Sequence, residues 1–216
     1  MITAEERAYY LKPSVLIRFS VSLIGLLLVL SRMTNFLNQI ELRPGALLAD
    51  PVLQAIAPRD LTWLAFGLIY GGIVFAIFHL LRHPERLILG MQGYTIMLLL
   101  RAVAMSVLPL DPPPGIIVLK DPFVEFFGNS SAPLTRDLFF SGHTSTMFLL
   151  YLASINPKIR YLFLVSTLGI AACVLIQHVH YTIDVVAAPF FAYGAMRLAG
   201  KFNVTLRRFF EARQSR

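Results

Sequence analysis

Six stretches of this 216-residue chain are nearly unbroken runs of apolar side chains, near residues 14–32, 61–81, 87–108, 138–155, 159–177 and 183–199. Each approaches the roughly 20 residues a helix needs to cross the hydrocarbon core of a bilayer. Only 14% of the residues are charged and 56% are hydrophobic, whereas a soluble domain carries about a quarter charged residues. The sequence therefore predicts an all-α membrane protein, a six-transmembrane-helix bundle, formed as a single integral membrane domain over residues 1–216. The first stretch has basic flanks like a signal peptide, but Ser31-Arg32-Met33-Thr34 offers no small-x-small cleavage site, so the helix is expected to be retained.

The placement of lysine and arginine predicts the orientation. With the N-terminus in the cytoplasm, that side holds Arg7, Lys12, Arg82, Arg86, Lys158, Arg160, Arg197, Lys201, Arg207, Arg208, Arg213 and Arg216. The other side holds Arg32, Arg43, Arg59, Lys120 and Arg136, a bias of twelve to five in favour of N-in, C-in. The net charge of +7 is thus spread between apolar runs and forms no stripe for nucleic acid. Residues 201–216 read as a basic cytoplasmic tail. The one cysteine, Cys173, lies in an apolar run, which excludes an intrachain disulfide and a thiolate metal cluster. Two longer loops, 34–60 and 109–137, both fall on the exoplasmic side, and Asp111-Pro112-Pro113-Pro114-Gly115 within the second is a stiff extended connector.

Ionisable side chains at helix ends in a membrane protein are costly and commonly functional. Ser141-Gly142-His143-Thr144 opens the fourth stretch, and His180-Tyr181-Thr182-Ile183-Asp184 crosses the turn into the sixth. His143 and His180 are separated by a helix out, a turn and a helix back, so both return to the exoplasmic boundary. His180 and Asp184 stand at i, i+4 and share one face of a helical turn. A carboxylate accepting from one imidazole nitrogen fixes the tautomer and leaves the other nitrogen free as a nucleophile. His143 can then act as general acid toward a departing alkoxide and as base toward the acceptor. Gly142 and the amides at the start of that helix add a site for a phosphate oxygen. Tyr181 and Thr182 are expected to line the pocket. His178 reads as a supporting or surface residue, and His79 and His83 as interfacial residues far from the site.

Together these residues resemble the paired signature of the sphingomyelin synthase family, a branch of the PAP2 lipid phosphatase and phosphotransferase superfamily that transfers a phospho-headgroup. The match rests on Ser141-Gly142-His143-Thr144 and on His180-Tyr181-Thr182-Ile183-Asp184-Val185. It extends to Asp137, four residues before Ser141, and to Arg101 with Ala102-Val103-Ala104-Met105 in the third stretch. It covers about residues 95–195. Thr135-Arg136 stands where the family usually has Cys-Gly, Pro189 where an aromatic is expected, and the family's first-loop motif is faint around Asp50-Pro51. Cys173-Val174 occupies the place of the Ser-Arg pair of ordinary lipid phosphate phosphatases, which argues against that activity.

The resemblance implies a PAP2-like core in which His180 is the nucleophile, Asp184 its orienting partner and His143 the third member of a triad. It implies a glycerophospholipid donor, a phosphohistidine intermediate and a lipid hydroxyl acceptor of ceramide or diacylglycerol type, with no cofactor and no metal. Arg101, helix amides and Arg136 would meet the phosphorane charge. Arg101, Asp137, Arg136, Ser141, Gly142, Thr144 and Tyr181 are the candidate substrate-binding residues. Water in place of the acceptor gives a phosphohydrolase of phospholipase C type with the same triad, and a catalytically idle lipid-binding or scrambling protein is the reading outside enzymes. An aromatic cage for choline could draw on Phe123, Phe126, Phe127, Phe139 and Phe140; ethanolamine, glycerol and inositol headgroups stay open. The compact chain suggests a bacterial inner membrane with the site facing the periplasm, or a lumen in a eukaryote.

Overall fold

The computed structural model describes residues 10–119 and 134–214. Lys120, Phe123, Phe126 and Phe127 lie outside the described residues. The regular elements of the described residues are all helices: α1 (Pro13–Glu41), α2 (Pro51–Gln54), α3 (Thr62–Leu80), α4 (Pro84–Val107), α5 (Gly142–Ala153), α6 (Pro157–Ile176) and α7 (Thr182–Gln214). Four of these, α1, α3, α4 and α6, are long and apolar enough to cross a membrane.

The starts of α1, α2, α4 and α6 follow a common local rule, with proline in the first turn, where its missing N–H breaks no helical bond. The expected boundaries shift where apolarity had stood in for helicity. The fourth stretch, expected at 138–155, is helical only over Gly142–Ala153. Leu138 and Phe140 are instead buried in a non-helical lead-in, so their apolar character reflects packing under the helix ends. At 12 residues α5 rises about 18 Å. In the other direction, α1 runs nine residues past Arg32 because Gly and Pro first occur together at Pro44-Gly45. The basic tail is likewise helical as far as Gln214.

α5 is the central element, packed by α3, α4, α6 and α7, while α1 lies outermost against α4. One half of the core joins Phe66 and Ile69 of α3 to Met147 of α5 and to Phe163, Ile170 and Val174 of α6. The other half joins Met97 of α4 and Leu149 of α5 to Ala188, Ala192, Ala195 and Met196 of α7. The alanine stripe of α7 and Gly93 of α4 allow a close approach, since a Cβ on Gly93 would collide with the Met196 sulfur.

On α1 the usual pattern is inverted. Its buried residues include Arg18 and Ser22, while Leu16, Ile17, Val21, Ile24, Leu27 and Leu28 face outward. Such an exposed apolar face requires an apolar surround. The inward polar groups are paired: Arg18 donates to both Glu85 carboxylate oxygens at 2.5 and 2.9 Å and to Asn203 Oδ1 at 3.0 Å, and Gln92 donates to Ser22 Oγ at 2.9 Å. These bonds tie α1, α4 and α7 together at the end of the bundle away from His143 and His180.

Candidate active site at one end of the bundle

The opposite end is where α5 and α7 begin and α1 and α4 finish. Loop segments cross over it. Ala46 and Leu110 form a single parallel bridge, and Ile117 and Arg59 donate backbone bonds to the carbonyls of Gln177 and Ile176 at the α6 terminus. His178 sits in the left-handed region at φ 56°. Its ring lies between two carbonyls, Nδ1 2.9 Å from Pro114 O and Nε2 3.0 Å from Ile56 O. His178 thus ties three loop segments together, the supporting role expected of it. His79 and His83 pack edge to face at 5.2 Å beside the turn between α3 and α4, at the far end of the bundle.

His180 and Asp184 come together, although not on one helical turn as expected: His180 lies in a bend, α7 begins at Thr182, and Asp184 reaches back from its first turn. His180 is buried, Asp184 is fully buried, and His180 Nδ1 lies 3.4 Å from Asp184 Oδ2. The same carboxylate oxygen accepts the Tyr181 amide at 3.1 Å. Among the described residues, Asp184 Oδ1 has no hydrogen-bond partner, and a buried, half-satisfied carboxylate is expensive enough to ask for a functional reason. The backbone joins this turn to α5, because Ser141 N donates to Asp184 O at 3.1 Å. His143, partly exposed in the first turn of α5, is therefore carried on the helix start that is bonded to the His180–Asp184 turn.

Ser141 and Thr144 behave differently from the substrate-binding expectation. Both are buried; Ser141 Oγ lies 3.1 Å from Thr144 Oγ1 and accepts the Thr144 amide at 3.4 Å. They cap the helix and leave Gly142 and His143 as its more open residues. Arg101 projects from α4 onto this same start, so that a Cβ on Gly142 would lie 2.8 Å from its Cζ and closer still to Nη1. The guanidinium is held by Asp137, with Nη2 2.6 Å from Asp137 Oδ1 and 3.1 Å from Asp137 O. Arg101 and Asp137 are thus placed together beside the α5 N-terminus, where helix amides and a cation favour an anion.

Arg136 and Tyr181 are engaged elsewhere. Arg136 donates through Nε to Asp111 Oδ1 at 2.8 Å and through Nη1 to Glu41 O at 2.6 Å, while the Glu41 carboxylate accepts both the Thr135 and Arg136 amides at 2.8 Å. This cluster fastens the end of α1 to the segment leading into α5. The Arg136 hydrogen bond is the main reason the Asp111 carboxyl lies below the ordinary aspartate range. Tyr181 is buried among Leu53, Leu110 and Leu138, and its hydroxyl donates to Asp111 O at 2.9 Å and accepts from Leu48 N at 3.3 Å. Phe140 stacks on Phe191 with centroids 4.2 Å apart, within the bundle.

Asp50 was not among the expected site residues. Its carboxylate accepts from Val52 N at 3.0 Å and Leu53 N at 3.2 Å, capping α2, and from Thr182 N at 2.6 Å and Thr182 Oγ1 at 2.9 Å, capping α7. Burial pushes this carboxyl up, but the hydrogen bonds from Thr182, Leu53 and Val52 outweigh it and hold it below its ordinary value. The signal available in the sequence was local: Asp followed by Pro is a helix-start signature. It reveals the α2 cap but not the partner 132 positions away. Among the described residues, no group of three histidine, cysteine or carboxylate side chains could hold a metal ion.

Residues 136–199 match the PAP2 superfamily C-terminal family. The match spans α5, α6 and the first half of α7, so it contains His143, His180 and Asp184, and it supports membership of the PAP2 superfamily and a lipid phosphatase or phosphotransferase type of activity. With four helices able to cross a membrane, it supports an integral membrane protein acting on lipids. No curated protein matches the chain.

Proposed function

We propose that this protein is a membrane phosphotransferase, similar to the sphingomyelin synthases, that moves a phospho-headgroup from a glycerophospholipid to a lipid hydroxyl of ceramide or diacylglycerol type. The observation that carries the reading is the buried His180–Asp184 pair, bonded through Ser141 N to the helix start that bears His143, with Arg101 laid against Gly142. With Nδ1–H directed at Asp184, the Nε2 lone pair of His180 attacks phosphorus. A P–N bond forms as the bond from phosphorus to the glyceryl oxygen breaks, and His143 gives its proton to that oxygen. Diacylglycerol leaves. His143, now neutral, takes the proton of the acceptor hydroxyl, whose oxygen displaces His180 and restores its lone pair. Arg101 and the α5 amides face the charge that grows on the phosphoryl oxygens.

The reading includes a six-span, N-in/C-in arrangement, in which α5 with its non-helical lead-in and the apolar first half of α7 join α1, α3, α4 and α6. The site then opens to the exoplasmic side, a bacterial periplasm or a lumen. The test is mass spectrometry of products formed by purified protein from mixed phospholipids with ceramide and diacylglycerol, with and without His180→Ala. A new phospho-headgroup lipid that disappears in the variant supports the transferase and names both substrates. Diacylglycerol with a water-soluble phospho-headgroup turns the reading to hydrolysis, and turnover that survives His180→Ala removes it.

A further inference from the structure

The link between Asp50 and Thr182 joins a loop preceding α3 to the turn that presents His180. Thr182 is the first residue of α7, and both of its local donors, the amide and the hydroxyl, end on the one carboxylate of Asp50. Its neighbour Tyr181 gives its own amide to Asp184 Oδ2, the oxygen that faces His180 Nδ1. The Tyr181 hydroxyl is anchored on the other side by Asp111 O and Leu48 N. The register of residues 180–184 is therefore set from outside the turn, at two points on the 48–50 segment. Asp50 is 8% exposed, so water offers little replacement for the bonds it accepts.

The alternative assignment, a plain cap for α2, accounts for only two of the four bonds: Val52 N and Leu53 N share Oδ1, while Oδ2 is directed at Thr182 N. A cap for α2 alone leaves Oδ2 unused. A four-residue helix also gains little from a buried carboxylate. The shorter contact goes to α7, at 2.6 Å, which locates the constraint at the turn bearing His180.

We propose that Asp50 is a positioning residue for His180, holding the first turn of α7 in the register that keeps Asp184 opposite Nδ1 and so leaves Nε2 as the unprotonated nitrogen. This inference rests on the reading of His180 as the nucleophile. Asp50→Asn keeps the shape and one acceptor but replaces one oxygen with an NH2 group, which cannot accept from the Thr182 amide. Displacements of about 1 Å in a reacting group can lower turnover by as much as about 100-fold.

The measurement is the ring 15N spectrum of histidine-labelled protein in detergent, with the His180 signals identified by their loss in His180→Ala, paired with turnover on mixed phospholipid vesicles containing ceramide and diacylglycerol. The wild-type protein is expected to show a single tautomer protonated at Nδ1. Asp50→Asn is expected to show mixed tautomers and to lower kcat by roughly 10-fold or more, with KM changed less than about 3-fold. Thr182→Val, which removes only the hydroxyl donor, moves both readouts the same way by less, and Thr182→Ser recovers most of the effect; this pair decides the matter should Asp50→Asn fail to fold. An Asp50→Asn protein that melts earlier yet keeps the single tautomer and wild-type kcat per folded molecule overturns the proposal. A tautomer shift without any histidine-dependent lipid product upholds the positioning role while removing the substrate assignment.

Discussion

Gly142→Ala adds one methyl group at the most crowded point of the site, and its consequence can be worked through. The new Cβ lands on the Arg101 guanidinium, which is the far end of a flexible side chain but is buried and held by Asp137. Arg101 must swing away and give up the 2.6 Å contact with Asp137 Oδ1. A hydrogen bond involving charged groups contributes about 1.5–3 kcal/mol; since the Asp137 side chain is 32% exposed, water recovers part of this and about 1–2 kcal/mol is lost. Replacing glycine by alanine in a helix returns up to about 1 kcal/mol, so the net destabilisation is roughly 0–2 kcal/mol. Turnover suffers more: loss of one donor to a developing oxyanion costs about 100- to 1,000-fold in kcat.

The distinguishing feature is a reversal of sign. In an Arg101→Ala background the methyl group has nothing to displace, so Gly142→Ala becomes neutral or stabilising by up to about 1 kcal/mol, and it lowers turnover no further. Thermal unfolding in detergent and lipid turnover of the two single variants and the double variant complete the cycle. Additive losses in the double variant, or wild-type turnover in Gly142→Ala, would refute the idea that the glycine is there to admit Arg101.

Three further outcomes follow from neighbouring contacts. Arg136→Ala is expected to destabilise by about 1 kcal/mol or less, because Arg136 and Asp111 are both about a third exposed, and to reduce turnover far less than Arg101→Ala; a loss as deep as that of Arg101→Ala would make Arg136 a phosphate ligand after all. Because Asp50 is held below the ordinary aspartate value of 3.8, its contribution to stability is fully present above that value and disappears as pH falls through the lower folded-state value. The melting-temperature gap between wild type and Asp50→Asn should therefore be widest near neutrality and close below pH 3.8, and a gap independent of pH would count against it. Ala192→Leu inserts a branched side chain where α7 is fully buried in the core and should destabilise by about 1–3 kcal/mol, read from the same unfolding curves.

Much of the architecture was legible because apolar run length is a one-dimensional property. Four of the six runs became helices long and apolar enough to cross a membrane. Where the reading slipped, the cause was that apolar side chains serve two ends. Leu138 and Phe140 prolong the fourth apolar run, but they are core residues of a non-helical segment, and the helix waits for the Ser141 cap. Inside the site, the spacing of His180 and Asp184 suggests a pair on one helical turn, but the helix starts only at Thr182, and the two meet because Asp184 in its first turn reaches back to Tyr181 N and His180 Nδ1. Arg101 was expected as a substrate-binding residue only by resemblance, and its place against Gly142 is a product of packing that no local spacing announces.

What the sequence determined by itself was local: the apolar runs, the proline-marked helix starts, the caps, and the His180–Asp184 pair. Tertiary structure alone decided which distant groups those local pieces meet. It committed Arg136 to Glu41 and Asp111, turned Tyr181 inward, laid Arg101 against Gly142, and brought Asp50 across 132 positions to Thr182. The reason is that a hydrogen bond or ion pair between loops depends on where helix ends arrive in space. That is fixed by how whole helices pack, through contacts such as Gly93 against Met196, and by nothing in the sequence adjoining either partner.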